Sequence, residues 1–563
     1  MCGILFEIRN SGRTIMEDEQ ILQRIKNRGP DCINSTELVI NDVTSLYFCG
    51  SVLWMQGLNP TEQPVIKEQG ILLFNGDIFD RTWDTKISDT EFIMEKLSKS
   101  QTAEQIISEI KMFKGPFSLI YYDKVSHHLF FSRDRIGRNS LLFHRSGSSF
   151  VISNVLGRKY PCIEVPATYI YELSINENRI NLYTWDKDTN ICKTYSVEEW
   201  TQNVQKQQLL SDDEFVINFD TLDLNDEDNV IEQIENVSKK HNDKLTIMKN
   251  LLENTVILNT VTKIAELLEK SVKVRLEIQP KKCKDCIKKE TTLCCHCTTG
   301  ILFSGGLDCT ILAILANKYV PKNQPIDLIN VAFTTKTNSS YEVPDRITGR
   351  QSFEELKNIC KLRQWVFHEV NIPREKLEYY QALTIGDLVY PRRTILDESL
   401  GTALWFAAGG GLEKNNDVST CRILLLGSGA DELFGGYTRH RNAFKRRGWL
   451  GLSKELILDW KRISFRNLAR DNRVICDHGR QPRMPYLDED LVDYVLKLKP
   501  WLKCFPSASL ECGIGDKLIL RLTALHIGLT EVVTLPKRAL QFGSRIANSK
   551  QKGSDVSSTF IDI

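Results

Sequence analysis

The chain begins Met1-Cys2-Gly3-Ile4. A small second residue allows the initiator Met to be removed, which would leave the Cys2 thiol beside its own α-amine. An amine with a pKa near ~7.7–8 can take the thiol proton, directly or through a water. That layout is the one an N-terminal nucleophile uses to attack an amide. Taken alone, a single Cys near a terminus is more often an inert thiol. A second reactive pattern lies at Ser304-Gly305-Gly306-Leu307-Asp308, after the apolar run Ile301–Phe303 and before a helical pattern ending near Lys318. Glycines after a strand let the backbone approach an anion, and the N–H groups of the next helix face it. Asp308 adds a carboxylate for Mg²⁺ on the same phosphates. The Gly-Lys-Ser/Thr of a Walker loop is absent, and a plain strand–helix turn remains the alternative.

Leu424 to Tyr437 repeats this arrangement, with Gly427-Ser428-Gly429-Ala430-Asp431-Glu432 at a strand end. In a doubly wound sheet such strand ends meet at one crevice, where Asp431 could complete a metal shell with Asp308. Its simpler role is an N-cap. A third cluster is Cys283-x₂-Cys286 and Cys294-x₂-Cys297, two knuckles separated by seven residues. Four thiolates at this spacing could close a structural Zn²⁺ site. The loop between them is shorter than the usual ~15–20 residues, but Lys281, Lys282, Lys284, Lys288 and Lys289 favour thiolates. Cys295 and His296 are surplus ligands, and a loop of reduced cysteines is the competing reading.

The elements that must position these groups fall into two patterns. Gly3–Arg9, Leu46–Trp54, Gly70–Phe74, Phe117–Tyr122 and Leu129–Ser132 read as strands, with helices at Met16–Asn27 and Thr90–Leu97. Ser211–Asn236 carries ten acidic residues and no Lys or Arg, which reads as a solvated linker. A helical segment, Thr246–Ile278, leads to the cysteines. Beyond Gly300, strands at Leu328–Phe333, Trp365–Val370 and Arg422–Leu426 alternate with helices, the rhythm of a parallel sheet. From about Ser453 onward the chain reads as mostly helical.

At 563 residues, two to four domains are expected. Apolar residues make up 42%, charged residues 26%, and the net charge is +1. This balance offers nothing to nucleic acid or an anionic membrane. No apolar run reaches the ~18 residues of a spanning helix, and no signal peptide is expected. The 16 cysteines then read as reduced thiols, and a cytoplasmic location is expected.

In their order along the chain, these motifs resemble the glutamine-dependent asparagine synthetases over nearly the whole length. The N-terminal half has MCGI, Arg28-Gly29-Pro30-Asp31, Asn75-Gly76-Asp77-Ile78-Phe79 and Arg133-Asp134 followed by Gly137. The C-terminal half has SGGLD (itself similar to the loop of ATP pyrophosphatases), GADELFGGY, Arg483-Met484-Pro485-Tyr486-Leu487-Asp488 and Pro536 to Ser544.

The resemblance implies an α+β N-terminal nucleophile glutaminase domain, an αββα sandwich, over 2–200. It implies an acidic linker at 201–250, a helical and Cys-rich connector at 251–299, and a tail at 549–563. Residues 300–548 would form an α/β doubly wound parallel-sheet ATP pyrophosphatase domain with a helical C-terminal part. Cys2 would form a glutamyl thioester and release ammonia, Asn75 and Gly76 would hold the oxyanion, and Asp77 and Asp89 would bind glutamine. Leu302, Ser304, Gly305, Gly306, Leu307, Asp308, Val331, Leu426 and Gly427 would hold ATP, with Mg²⁺ on Asp308 and Asp431. Aspartate would be adenylated, and ammonia arriving through an internal channel would displace AMP.

Three positions depart from that pattern. Synthetases place an Arg for the glutamine carboxylate eleven residues before Gln63-Pro64, where this chain has Val52. The first Glu of their Gly-Glu-Gly-Ser-Asp-Glu turn is Ser428, a poor proton acceptor without a nearby base. Their pyrophosphate Lys is Ala539, with Lys537 two residues earlier. Lesser changes are Asp77 for Glu and Asn139-Ser140 for Lys-Pro. Two other readings therefore stand beside the synthetase: a nucleotide-binding pseudoenzyme, and a ligase using free ammonia on another acid.

Overall fold

The computed structural model describes the chain except residues 1, 10–13, 80–81, 148, 187, 210–223, 227, 290–293, 335–339, 410–418, 511–512, 548–551 and 561–563. Among the described residues, the first half contains thirteen strands: β1 (Cys2–Arg9), β2 (Cys32–Val39), β3 (Ser45–Val52), β4 (Val65–Ile66), β5 (Gly70–Gly76), β6 (Phe117–Asp123) and β7 (His128–Arg133), then β8 (Leu142–Ser146), β9 (Ser149–Ser153), β10 (Cys162–Glu164), β11 (Tyr169–Ser174), β12 (Arg179–Thr184) and β13 (Lys193–Ser196). They form two antiparallel sheets, ordered β10-β8-β9-β1-β3-β2 and β13-β12-β11-β7-β6-β5-β4.

Strand alternation explains why the sheets stack. Cys2, Ile4, Phe6 and Ile8 of β1 face inward and share one core with Ile71, Leu73, Ile120, Tyr122 and Phe131 of the other sheet. Leu5 points the opposite way, to a core holding Ile21 and Ile25 of α1 (Glu19–Arg28). On the far side Leu72, Phe74, Leu119 and Phe130 pack against α2 (Asp89–Ser98) and α3 (Ala103–Met112). The layers are helix, sheet, sheet, helix, as expected. A Ser88–Glu91 capping box opens α2 and fixes where Asp89 sits.

The second half is built on β14 (Thr299–Leu302), β15 (Ile326–Phe333), β16 (Trp365–Ile372), β17 (Ile423–Leu425) and β18 (Gln481–Arg483). They form a parallel sheet in the order β16-β15-β14-β17-β18. Every residue of β15 is buried, as a strand covered on both faces requires. The edge strand β18 was not legible in the sequence. Gln-Pro-Arg carries no strand pattern, and Pro482 is tolerated only because it lies at a sheet edge.

Between the halves lie α4 (Val197–Leu209), α5 (Val230–Lys240), α6 (Lys244–Leu251) and α7 (Thr255–Glu277). The acidic run is thus not uniformly linker: Val230 and Ile234, one turn apart, anchor α5 in the main core. Its stretch at 211–223 lies outside the described residues, as do 549–551 and 561–563 of the tail. In the rest of the tail, Ser557 and Phe560 are buried. Ile395 N donates to Asp555 O at 2.9 Å.

The halves meet across a polar interface. Arg138 Nε donates to Asp134 at 3.0 Å, and its Nη1 reaches Leu487 O at 2.8 Å. Arg473 Nη1 donates to Ser140 Oγ at 2.8 Å, and Asn472 Nδ2 to Asn139 Oδ1 at 3.0 Å. Asn139 and Ser140, unlike the usual Lys-Pro, are therefore interface hydrogen-bonding residues.

Candidate active site

Cys2 and Val52 are directly opposed in the β1–β3 register and both line one cleft. The same cleft is lined by Gln63, Gly76, Asp77 and Asp89. Asn75 Oδ1 accepts from Cys2 N at 2.8 Å, and Asn75 Nδ2 donates to Ser118 Oγ at 3.1 Å. Gly76 admits no side chain, because a Cβ there would lie 2.3 Å from Pro116 O. Burial pushes the Cys2 thiol up, opposed by the positive chain terminus. Gln63 Nε2 donates to Cys2 Sγ at 3.4 Å while its amide is clamped to both backbone groups of Phe74. Sequence reasoning used Gln63 only as a landmark; its contact with sulfur required the fold.

Asp89 accepts from Ile78 N at 3.1 Å and from Gln56 Nε2 at 2.9 Å. Burial, reinforced by the Asp77 carboxylate, raises its carboxyl to about 7. Asp77 faces two ways. Its Oδ1 accepts from Gln56 Nε2 at 3.1 Å on the side of the Cys2 cleft. Its Oδ2 accepts from Gln481 Nε2, and from Arg483 Nη2 at 3.0 Å, both on β18 of the other half. The Asp77–Arg483 pair is fully buried, so removing either partner would strand a charge. Among the described residues lining the cleft, none is Lys or Arg. Arg28 donates to Cys2 O at 3.3 Å, but its Nη2 turns to Asn472 of the second half.

The Ser304–Asp308 loop runs from β14 into α8 (Leu307–Tyr319). Gly305 has φ +78°, and a Cβ there would meet Gly349 Cα at 2.5 Å. Gly306 is the helix N-cap. The β17 turn closes on the loop, since a Cβ on Gly427 would be 2.9 Å from Asp308 Cβ. Leu302 and Val331 lie on the neighbouring strands β14 and β15, and Leu426 N donates to Arg483 O at 2.9 Å.

Asp308 and Asp431 do converge. Lys517, buried, sits between them with Nζ at 2.7 and 2.6 Å from the Asp308 oxygens and 2.7 Å from Asp431 Oδ1. Lys537 Nζ lies 3.2 Å from Asp431 Oδ2, so the lysine two places before Ala539 reaches the acids. Burial would raise Asp431, but the ammonium groups of Lys517 and Lys537 hold it well below the carboxylate range. Two carboxylates, two ammonium groups and a side-chain-free cradle form a donor set that fits Mg²⁺ and a pyrophosphate. The Gly513-Ile514-Gly515-Asp516 turn ahead of Lys517 follows a helix, Pro500–Lys503, rather than a strand, so the strand-end pattern that flags the two acids does not flag it. Glu432, beside Asp431, accepts from Tyr437 OH at 2.7 Å and Asn467 Nδ2 at 3.0 Å. Burial first, then Asp431, lifts its carboxyl to about 7.

The cysteine cluster departs from the expected four thiols. Cys283, Cys286 and Cys294 converge with His296, whereas Cys297 points away. Its Sγ donates to Thr299 O at 3.1 Å, inside the sheet core. The cause is proximity to β14: Cys297 already belongs to the buried approach to that strand, so it faces the core rather than the knuckle. Among the described residues, no helix is long and apolar enough to cross a membrane.

Comparison with known proteins agrees with this architecture. Residues 1–157 match the glutamine amidotransferase domain, and residues 295–450 and 444–552 match asparagine synthase. The chain is 39% identical to the asparagine synthetase domain-containing protein CG17486 of Drosophila melanogaster, over 99% of this chain and 100% of that protein. It is 33% identical to human asparagine synthetase domain-containing protein 1, over 99% of this chain and 97% of its counterpart. Identity to asparagine synthetase B [glutamine-hydrolyzing] of Escherichia coli is 24%, over 39% of this chain and 37% of that protein. With a relative at 39% identity matched along its full length, the chain belongs to the asparagine synthase family, alongside the asparagine synthetase domain-containing proteins.

Proposed function

We propose that this protein hydrolyses glutamine at Cys2 and uses the ammonia for AMP-forming, ATP-dependent amidation of aspartate. The observation that carries this reading is Asp77. It adjoins Asn75-Gly76 in the glutamine cleft and is bonded through Arg483 to the strand whose end meets Leu426 at the nucleotide crevice. One buried residue thus joins the two half-sites.

With Met1 removed, the α-amine of Cys2 takes the thiol proton, and the sulfur attacks the glutamine amide. Gln63 steadies the sulfur, while Asn75 and Gly76 would donate to the developing oxyanion. Such a donor is worth roughly 3–4 kcal/mol. Asp89 receives the ammonium of glutamine. In the crevice Asp308 and Asp431 would hold Mg²⁺, which offsets phosphate charge when bound. The Gly305–Leu307 backbone receives phosphate oxygens, and Lys517 and Lys537 add positive charge. With Ser428 in place of the expected Glu, Glu432 is the carboxyl poised near neutrality to take a proton from incoming ammonia.

A second reading is a nucleotide-binding protein without coupled synthesis. The absence of Lys or Arg among the described cleft-lining residues favours it. The discriminating experiment incubates Met-processed protein with glutamine, aspartate and Mg-ATP, and follows glutamate, AMP and asparagine separately. The synthetase reading requires all three products. ATP binding without any product supports the second reading. Intact mass showing Met1 retained on most molecules would remove Cys2 as the nucleophile.

A further inference from the structure

Between α7 and β14 the described part of residues 278–298 forms neither helix nor strand. Its own apolar cluster is only three thiols, Cys283, Cys286 and Cys294, too little buried surface to order a connector. Yet these sulfurs and a nitrogen of His296 all lie within 4.8 Å of one another. His296 Nδ1 stands 3.4 Å from Cys286 Sγ and 3.8 Å from both Cys283 Sγ and Cys294 Sγ. A tetrahedral ion with bonds of ~2.3 Å to sulfur and ~2.0 Å to nitrogen has sulfur–nitrogen edges of ~3.5 Å. The four atoms already stand near the corners of such a site. A disulfide, at ~2.05 Å, would use two sulfurs and leave the third thiol and the imidazole without a role. The Cys283 N–H donates to Cys294 Sγ at 3.4 Å, the kind of outer hydrogen bond that supports a ligating thiolate.

We propose that Cys283, Cys286, Cys294 and His296, through Nδ1, bind one Zn²⁺ as a structural clasp between the two halves. Three soft sulfurs and an imidazole select zinc over the hard cations of the nucleotide crevice. Binding releases the three thiol protons to solvent. Four protein ligands leave no open position, so the ion activates no water. The clasp role follows from what the knuckle touches. Lys284 N donates to Thr420 O at 2.9 Å, just ahead of β17, and Gln324 Nε2 donates to Cys294 O at 2.9 Å. Lys288 Nζ donates to Pro30 O at 3.0 Å, in the amidotransferase half.

The test uses the full chain, purified reduced and without a polyhistidine tag. Elemental analysis should find about one zinc per chain, and Co²⁺ exchange should give the intense visible bands of a tetrahedral thiolate site. His296 is exposed, so His296→Ala should fold, bind zinc at least tenfold more weakly and shift the cobalt bands; His296→Cys should restore affinity. Cys294→Ser should lose the metal, and Cys295→Ser should keep it. A chelator should lower the Tm of the wild type, and zinc should restore it. The proposal fails if wild type takes up no zinc on reconstitution, if iron is found instead, or if His296→Ala leaves affinity and spectrum unchanged.

Discussion

The cleft around Cys2 and the crevice around Asp308 each lack one cation that the synthetase pattern supplies, yet only the crevice has another in its place. There Lys537 reaches Asp431 from two residues before Ala539, and Lys517 bridges both acids. In the cleft Val52 lies opposite Cys2, and no described lining residue carries positive charge. The nucleophile, by contrast, keeps its neighbours: Asn75 and Gln63 both contact Cys2. A long flexible side chain can carry a charge in from a neighbouring position on a loop. Within a strand, side-chain direction is fixed by register, so the missing cation has no comparable substitute. The phosphate half should therefore be the more competent of the two, and the glutamine half limited by substrate affinity rather than by bond cleavage.

The widest separation between the halves should come from Cys2→Ala. It should cut glutamine hydrolysis by ~10⁴-fold or more, as loss of a nucleophile does, while Mg-ATP affinity measured by calorimetry stays unchanged. A fall in ATP affinity would show that the two sites are not separable in this way.

Next in size is Glu432→Gln, read with isotope-traced aspartate and ATP. Loss of general-base help costs ~10²–10⁴-fold, so amide should fall by that order while AMP formation persists. Ser428→Glu in the same background should recover amide. If Glu432→Gln leaves asparagine per AMP unchanged, the proton goes elsewhere.

Two matched substitutions test the cation contrast directly. Lys537→Ala should weaken pyrophosphate or Mg-ATP binding about tenfold, or ~1.4 kcal/mol, and Ala539→Lys should recover it. Val52→Arg should lower the glutamine KM by a similar factor with little change in kcat, since it adds uniform binding. An unchanged KM would mean that the carboxylate is held outside this cleft.

The smallest effect concerns pH. The Asp89 carboxyl, raised to about 7, is protonated below that value and charged above it. Because glutamine presents an ammonium group, its KM should fall several-fold between pH 6 and 8. Asp89→Asn should flatten the profile while raising KM throughout.

The sequence by itself determined the motif-bearing turns and nine of the eighteen described strands (β1, β3, β5–β7 and β14–β17), while the layer order came from the family resemblance. The turns and strands depend on local causes, such as alternation in β1 and glycine after β14. The sequence also marked Cys2, Asp308 and Asp431 as reactive groups through short-range patterns, and Asn75 through the family resemblance. Only the tertiary structure decided which distant groups meet them. Gln63 comes to the Cys2 sulfur across 61 positions and Lys517 to Asp308 across 209. The same holds for the replacement of Cys297 by His296 at the thiol cluster. Spacing alone treats the four cysteines alike, but β14 draws Cys297 into the sheet core and frees the corner for the imidazole. Local pattern fixes an element and its faces; the packing of elements far apart in sequence chooses each side chain's partner.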